Sequence, residues 1–181
     1  MWGSAALTLV LAFAASCGAI GQSLSSAATE RASFCEGASD DTARKPVHLP
    51  AAIVTAIMNT KEGKDALESS RAENAGLVPE RLLTGTTAQL SDSRELVFVV
   101  VGSSPLSGAD NTWFWIVQQS GKNARILLFV GANCLNVSRT RTLGYRDIVS
   151  TWASAGVTVT QIFSYDGKSY KLRRRRSHQI R

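Results

Sequence analysis

The sequence predicts a mainly β domain, an antiparallel meander of six or seven strands with one or two helices on its N-terminal side. The strongest observation is the run LVFVVV at 96–101, which is typical of a buried strand. Similar runs follow at short intervals, and short connections favour antiparallel pairing between neighbours. The pair Asp166-Gly167 is a strong signal for a two-residue hairpin turn. A closed or propeller-like sheet would hide its strand edges.

One or two helices are predicted ahead of the sheet. In the first, at 48–58, Pro50 suits an opening turn because its missing donor has no helical partner there. Four apolar residues of this segment recur at helical spacing: Ile53, Val54, Ile57 and Met58. The second helix, at 61–74, is more polar, and Gly76 is suited to end it.

The predicted sheet begins after about Leu82. The segment SGKN at 120–123 is expected to form a hairpin turn. Val157, Val159 and Phe163 alternate with threonines, so they share one face of a strand. The predicted strands are 95–101, 113–119, 125–130, 135–142, 145–152, 157–165 and 169–172.

The strand at 113–119 carries two tryptophans. Alternation places Trp113 and Trp115 on one face and Phe114 on the other. Both faces are therefore apolar, which indicates a central strand covered on each side. The alternative is that the tryptophan pair lines a recognition surface, since aromatic residues dominate interface hot spots.

The N-terminus is interpreted as an export signal. The apolar run at 5–15 is shorter than the roughly 20 residues that a membrane span requires. Small residues at the alternating positions 19 and 21 precede Gln22, as signal peptidase requires. The segment AASC at 14–17 also resembles a lipobox, in which Cys17 would be lipidated. An uncleaved anchor is the remaining alternative.

These features predict an exported protein, lipid-anchored if Cys17 is modified. The predicted segments are a signal peptide at 1–21 (or a lipoprotein signal ending before Cys17), a flexible arm at 22–45, a single β-rich domain at 46–172 and a basic disordered tail at 173–181.

Cys35 and Cys134 remain as a pair whatever happens to Cys17. An even count of cysteines in an exported chain predicts a disulfide, because that compartment is oxidising. The bond would tie the N-terminal arm to the domain. Two separate free thiols are the alternative.

The net charge of +6 comes from one end of the chain. Six of the 20 basic residues lie in the last eleven positions, and the remainder balance the 14 acidic residues. Export argues against nucleic acid as the partner. Arg173, Arg174, Arg175 and Arg176 instead predict contact with an anionic lipid or envelope polymer, or a solvated end.

Enzyme and metal motifs are weak. Gly167-Lys168-Ser169 resembles the end of a phosphate loop, but Ile162 stands where that loop requires glycine. His48 is the only histidine before the tail, which disfavours a catalytic triad or a zinc site. No cofactor and no metal are therefore predicted. An enzyme with an unfamiliar site would use His48 or Asp147.

Three segments of the C-terminal half, LSGADNTWFWIV at 106–117, GYRDIV at 144–149 and FSYDGKSYK at 163–171, resemble a class of small exported bacterial β proteins. Many of these are uncharacterised, and some are similar to periplasmic lysozyme inhibitors or immunity proteins. In that class an acidic metal loop often precedes the first core strand, and here the corresponding loop around Asp92 is degenerate. The resemblance implies a bacterial source, a location in the periplasm or outer envelope, and a binding role.

The sequence thus predicts a binding protein rather than an enzyme. Tyr145, Arg146 and Asp147 are expected to present the contact surface, with the strand of Trp113 and Trp115 supporting it. One version is an inhibitor of a cell-wall hydrolase, in which Arg146 pairs with catalytic carboxylates. The alternative is a structural envelope protein tethered through its arginine tail.

Overall fold

The structure, a computed structural model, describes residues 33–35, 46–104, 106–107 and 111–179. The predicted export signal, Cys17 and most of the predicted arm lie outside the described residues. The helices are α1 (Ala51–Met58) and α2 (Lys61–Glu73), followed by one 3-10 turn (Pro79–Leu82). The strands are β1 (Ser33–Cys35), β2 (Leu83–Ala88), β3 (Leu96–Gly102), β4 (Thr112–Ser120), β5 (Asn123–Ala132), β6 (Cys134–Thr142), β7 (Tyr145–Ser154), β8 (Val157–Tyr165) and β9 (Tyr170–Gln179).

The fold class is mainly β with two N-terminal helices, which confirms the prediction. The strands form two antiparallel sheets, one in the order β2-β3-β4-β5 and the other in the order β1-β6-β7-β8-β9. The meander is therefore divided in two, and each sheet, as far as the chain is described, is open at both edges rather than closed or propeller-like. Asn133 separates β5 from β6 and turns the chain from one sheet to the other.

The four-stranded sheet is buried on both faces, because apolar side chains occupy consecutive positions of its central strands. Alternation directs one set toward the five-stranded sheet and the other toward the helices. The first set includes Val97, Val99, Phe114 and Ile116. The second set includes Phe98, Val100, Trp115 and Val117. The domain consequently has three layers and two apolar cores.

The helices form the layer outside the four-stranded sheet. Ile53 and Ile57 of α1 are fully buried in the second core, at the spacing that the sequence predicted. Thr60 caps α2, since its hydroxyl accepts a hydrogen bond from the amide of Gly63 at 3.0 Å. No helix in the described ranges is long and apolar enough to cross a bilayer.

The disulfide between Cys35 and Cys134 is present. It joins β1 to β6 at a pair of directly opposed positions. Phe34, the middle residue of β1, is buried in the core between the sheets. The predicted arm therefore contributes an ordered strand to the domain at residues 33–35.

The basic C-terminal segment differs from its prediction. Residues 173–179, expected to be a disordered tail, instead complete β9, which pairs with β8 along its whole length. The connection between these strands has four residues, 166–169, rather than the predicted two. Asp166 stabilises this turn, because its side chain accepts hydrogen bonds from the amides of Lys168 and Ser169 at 2.8 and 2.7 Å.

Candidate functional site

Two surfaces are candidate functional sites. The first is the end of the domain where the β4–β5, β6–β7 and β8–β9 turns meet the loop at 89–95, and we name it the hairpin end. It contains the predicted contact residues Tyr145, Arg146 and Asp147 at the start of β7. The second is β9 itself.

Tyr145 links the two sheets at the hairpin end. Its hydroxyl donates a hydrogen bond to Glu95, which directly precedes β3, and Gln118 of β4 approaches the same hydroxyl at 3.5 Å. Its ring stacks on Tyr165, with ring centroids 4.0 Å apart. Burial, and secondarily the hydrogen bond to Glu95, raises the pKa of Tyr145 to about 12. The hydroxyl therefore stays protonated and acts as a donor.

Two more tyrosines extend this contact. Tyr170 packs edge-on against Tyr165, and its hydroxyl donates to the backbone carbonyl of Arg146 at 2.8 Å. Burial raises the pKa of Tyr170 well above its ordinary value. On the opposite sheet, Arg125 donates to Gln118 at 2.6 Å and to the Tyr165 hydroxyl at 3.4 Å. Hydrogen bonds between the two sheets and ring contacts within the five-stranded sheet thus hold the hairpin end in place, so its surface is largely preformed.

Asp147 is buried, and its carboxylate connects two strands. Its side chain is only 3% exposed, and its two oxygens accept hydrogen bonds from the hydroxyls of Thr140 and Thr142 at 2.9 and 2.8 Å. A buried carboxylate is stable only when such donors satisfy it. Asp147 therefore holds β7 to β6, and its neighbours Tyr145 and Arg146 are the more accessible members of the predicted trio.

Arg146 is held by its backbone more than by its side chain. Its amide donates to the Leu90 carbonyl at 2.7 Å, which fixes the 89–95 loop to β7. Its guanidinium is half-buried and lies 3.5 Å from the carbonyl of Ser138. The guanidinium has no carboxylate partner among the described residues.

Asp92 is paired with a cation. Both of its carboxylate oxygens accept hydrogen bonds from Arg141 at 2.8 Å, in a bidentate arrangement. Arg141 also donates to the carbonyl of Gly144 at 3.1 Å. In the part of the chain that the structure describes, no group of three or more His, Cys, Asp or Glu is placed to hold a metal ion.

The two tryptophans lie away from the hairpin end. Trp115 is fully buried on the helix side of β4, where its ring stacks on Phe129 at 5.2 Å. Trp113 is partly exposed and packs edge-on against both rings. This placement confirms that β4 is a central strand covered on both faces, and it leaves Trp115 a supporting role only.

Two open clefts flank the hairpin end. One, of about 620 Å³, lies between the ends of β2 and β3 and includes Asp92. The other, of about 380 Å³, lies beside the β4–β5 turn and includes Arg125. Glu95 borders both clefts, next to the predicted contact residues.

The β6–β7 turn projects an apolar side chain. Leu143 is 69% exposed and has a φ of 51°, and Gly144 follows with a φ of 80°. Positive φ at both positions is the signature of a type I′ hairpin turn, in which asparagine and glycine are preferred. Leu143 is thus placed where neither solvation nor backbone preference favours it.

The second surface, β9, is cationic and accessible. All residues from Lys171 to Gln179 are exposed, and the four arginines at 173–176 are consecutive. Among the residues that the structure describes, no carboxylate forms an ion pair with these arginines. The length of β8 could have indicated that this segment is a strand. Because β8 has nine residues, the strand that pairs with it needs a similar length.

Comparison with known proteins adds no relative. The chain matches no protein-family model, and neither a curated protein nor a solved structure is significantly similar to it.

Proposed function

We propose that the chain is an exported, non-enzymatic binding protein of the bacterial cell envelope, and that it holds an anionic partner along β9. The observation that carries the proposal is the row of exposed, unpaired arginines on an ordered strand. A single charged residue is enough to protect an edge strand from pairing with another chain. Four consecutive arginines exceed that need.

The ordered backbone of β9 allows these arginines to bind an anion more tightly than a disordered tail would. An arginine on a disordered tail loses backbone freedom when it binds, and that loss opposes binding. In β9 the backbone is already fixed by pairing with β8. Guanidinium groups bind phosphate and carboxylate in a bidentate manner, so a row of them suits a polyanion.

Export is supported by the cysteines and the N-terminal sequence. The Cys35–Cys134 bond is typical of an oxidising compartment. The apolar run at 5–15 fits an export signal. A location in the envelope would bring β9 close to anionic lipids and polymers, and away from most nucleic acid.

A binding role is favoured over catalysis by the setting of Asp147. Its oxygens are both engaged with threonine hydroxyls in a buried position, which leaves no free oxygen directed at a substrate. One of the two residues that the enzyme alternative named, Asp147, therefore has a structural explanation.

The test is binding of the purified oxidised protein to vesicles of phosphatidylglycerol and to soluble anionic polymers at physiological salt. The quadruple variant with Arg173, Arg174, Arg175 and Arg176 replaced by glutamine should lose at least tenfold in affinity, because each basic residue near such a surface contributes measurably. The matched control removes four exposed cations elsewhere, namely Lys64, Arg71, Arg81 and Lys122. Equal affinities of the two variants would overturn the proposal.

A second candidate is inhibition of a cell-wall hydrolase through the hairpin end. The observation that favours it is Leu143, exposed at a rigid turn next to Tyr145 and Arg146. In this version Leu143 enters an apolar part of the hydrolase cleft, and Arg146 pairs with a catalytic carboxylate. Replacement of Arg146 by alanine should abolish inhibition of lysozyme-type hydrolases, while the quadruple β9 variant should retain it. Unchanged inhibition by the Arg146 variant would exclude this version.

A further inference from the structure

The arginines of β9 are divided between two faces of the sheet. Phe163 of β8 pairs with Leu172, whereas Ile162 pairs with Arg174, so Arg173 is an extra residue at a bulge. Beyond it, Arg175 pairs with Gln161, and Arg176 pairs with Thr160. Directly paired residues of an antiparallel sheet project on the same face.

The identity of each face follows from β8. Phe163 and Tyr165 are buried between the sheets, so their face, which includes Gln161, is the inner one. Arg175 belongs to this inner face. Ile162, Thr160 and Thr158 alternate with them and define the outer face, and Arg174, Arg176 and His178 pair with these three.

The outer face carries hydroxyls beside its cations. Thr160 pairs with Arg176 on one side and with Thr151 of β7 on the other, which forms a row across three strands. Both threonines are partly exposed. Along β9, residues on one face are about 6.5 Å apart, because a strand rises about 3.3 Å per residue. Arg174, Arg176 and His178 therefore follow one another along one face of β9 at about this spacing.

We propose that this outer face binds a linear polyol-phosphate polymer, whose chain lies along β9. The inference rests on the proposed function and names the ligand of the same strand. Arg174 and Arg176 each bind one phosphate in a bidentate manner, and His178 is placed for a third. Thr160 and Thr151 donate to phosphate or polyol oxygens beside the cations.

The chemistry of the face distinguishes this polymer from the other phosphate polymers. Proteins that bind single-stranded nucleic acid stack its bases on aromatic side chains. The paired outer-face positions of β8 and β9 (Ile162, Thr160, Thr158, Arg174, Arg176 and His178) contain no Phe, Tyr or Trp. Polyol units need hydroxyl partners rather than rings, and this face supplies them.

A membrane surface would use the arginines differently. Lipid headgroups are mobile and reach cations on either face of an edge strand, so binding depends on total charge. A polymer lying on the outer face needs Arg174 and Arg176 but not Arg175. The two ligands therefore predict different results for variants of equal charge.

The experiment compares two double variants by isothermal titration calorimetry with poly(glycerol phosphate) of defined length. Arg174→Gln with Arg176→Gln should weaken binding about thirtyfold and lower the salt dependence. Lys64→Gln with Arg175→Gln removes the same charge, from α2 and from the inner face of β9, and should weaken binding less than fivefold. A third variant, Arg174→Lys with Arg176→Lys, should recover only part of the affinity, because lysine lacks the bidentate geometry.

Equal losses in the first two variants would overturn the outer-face assignment while leaving the proposed function intact. Tighter binding of oligothymidylate, of a polygalacturonate of matched charge, or of phosphatidylglycerol vesicles would overturn the polyol-phosphate assignment. Unchanged binding by the quadruple glutamine variant would instead remove the proposed function. A Thr160→Val variant, which keeps shape and strand propensity, should weaken polymer binding about threefold and leave vesicle binding unchanged.

Discussion

Strands β4 and β9 have similar lengths and opposite surroundings. From Thr112 to Gln118, β4 is buried at every position except Trp113, with the five-stranded sheet on one face and the helices on the other. After its first residue, β9 is exposed at every position and ends the five-stranded sheet. Both are regular strands in the same domain. The difference is that the buried side chains of β4 stabilise the fold, whereas the exposed side chains of β9 are accessible to a partner.

This contrast explains where charge is allowed. A charge in β4 would be buried without a partner, which costs several kcal/mol. In β9 the charges stay hydrated and also block edge-to-edge pairing. We therefore expect substitutions in β4 to change folding and those in β9 to change binding.

The largest expected effect is in β4. Replacing Trp115 by alanine should lower the free energy of unfolding by about 3–5 kcal/mol, because it removes a fully buried ring that stacks on Phe129. The measurement is urea unfolding followed by circular dichroism. Arg176→Ala in β9 is the comparison variant and should change the same quantity by less than about 0.5 kcal/mol.

A second variant tests whether the ring or its polar atom matters. The indole N–H of Trp115 is buried and has no hydrogen-bond partner within the described residues. Trp115→Phe keeps an aromatic ring and removes that N–H, so it should lower the free energy of unfolding much less than Trp115→Ala does. If phenylalanine and alanine were equally destabilising, packing of the ring would not be the source of the stability.

The next effect concerns the edge of the five-stranded sheet opposite β9. There β1 is held by the Cys35–Cys134 bond, whose cysteines are 99 residues apart. Removal of a bond that closes so long a loop should lower the free energy of unfolding by about 2–4 kcal/mol. Urea unfolding of the double variant Cys35→Ser with Cys134→Ser, compared with the oxidised wild type, measures this loss, and the wild type under reducing conditions is the control. The reduced wild type and the variant should unfold at similar urea concentrations, since both lack the same constraint.

The two edges also show what the sequence could predict. The central strands and α1 were predictable because long apolar runs and helical spacing signal them directly, as at 96–101 and at Ile53 and Ile57. The disulfide followed from the cysteine count. The flanking strands were missed because their residues carry no such pattern. In β2, Gly85 interrupts the strand, and Leu49 occupies the space that a β-carbon there would need.

The candidate sites were less predictable than the fold. Tyr145, Arg146 and Asp147 are adjacent in sequence, so the pattern could group them, yet burial separates their roles. Glu95 and Tyr145 are 50 residues apart, and no local pattern relates them. The basic segment was recognised by its charge, but its order depends on pairing with β8, which is a tertiary property.

A smaller effect is expected at Tyr145, which links the two sheets. Its pKa is raised to about 12 in the folded protein, whereas in the unfolded chain the hydroxyl titrates at its ordinary value near 10. Its contribution to stability is therefore complete below pH 10 and is lost as the pH rises from about 10 to 12. Urea unfolding of the wild type and of Tyr145→Phe at pH 8 to 11.5 measures this.

The difference between the two proteins isolates Tyr145, because other tyrosines and lysines titrate in both. The stability of the wild type should fall more steeply above pH 10 than that of the variant. The Glu95→Gln variant should lower the pKa of Tyr145 partway toward 10, since burial is the larger cause and remains. Parallel pH profiles for wild type and Tyr145→Phe would show that the hydroxyl does not join the sheets.

The smallest effect separates stability from function at the β6–β7 turn. Leu143 and Ala155 both occupy the first position of a two-residue turn, with φ of 51° and 49°. Asparagine tolerates this conformation better than either residue, so Leu143→Asn and Ala155→Asn should each raise the free energy of unfolding by about 0.5–1 kcal/mol. Thermal unfolding measures both. If Leu143 is retained for contact with a protein partner, Leu143→Asn should weaken that contact while Ala155→Asn leaves it intact, because only Leu143 belongs to the hairpin end. A stabilised Leu143→Asn variant with unchanged binding to every partner tested would leave β9 as the functional surface and would remove the hairpin end from consideration.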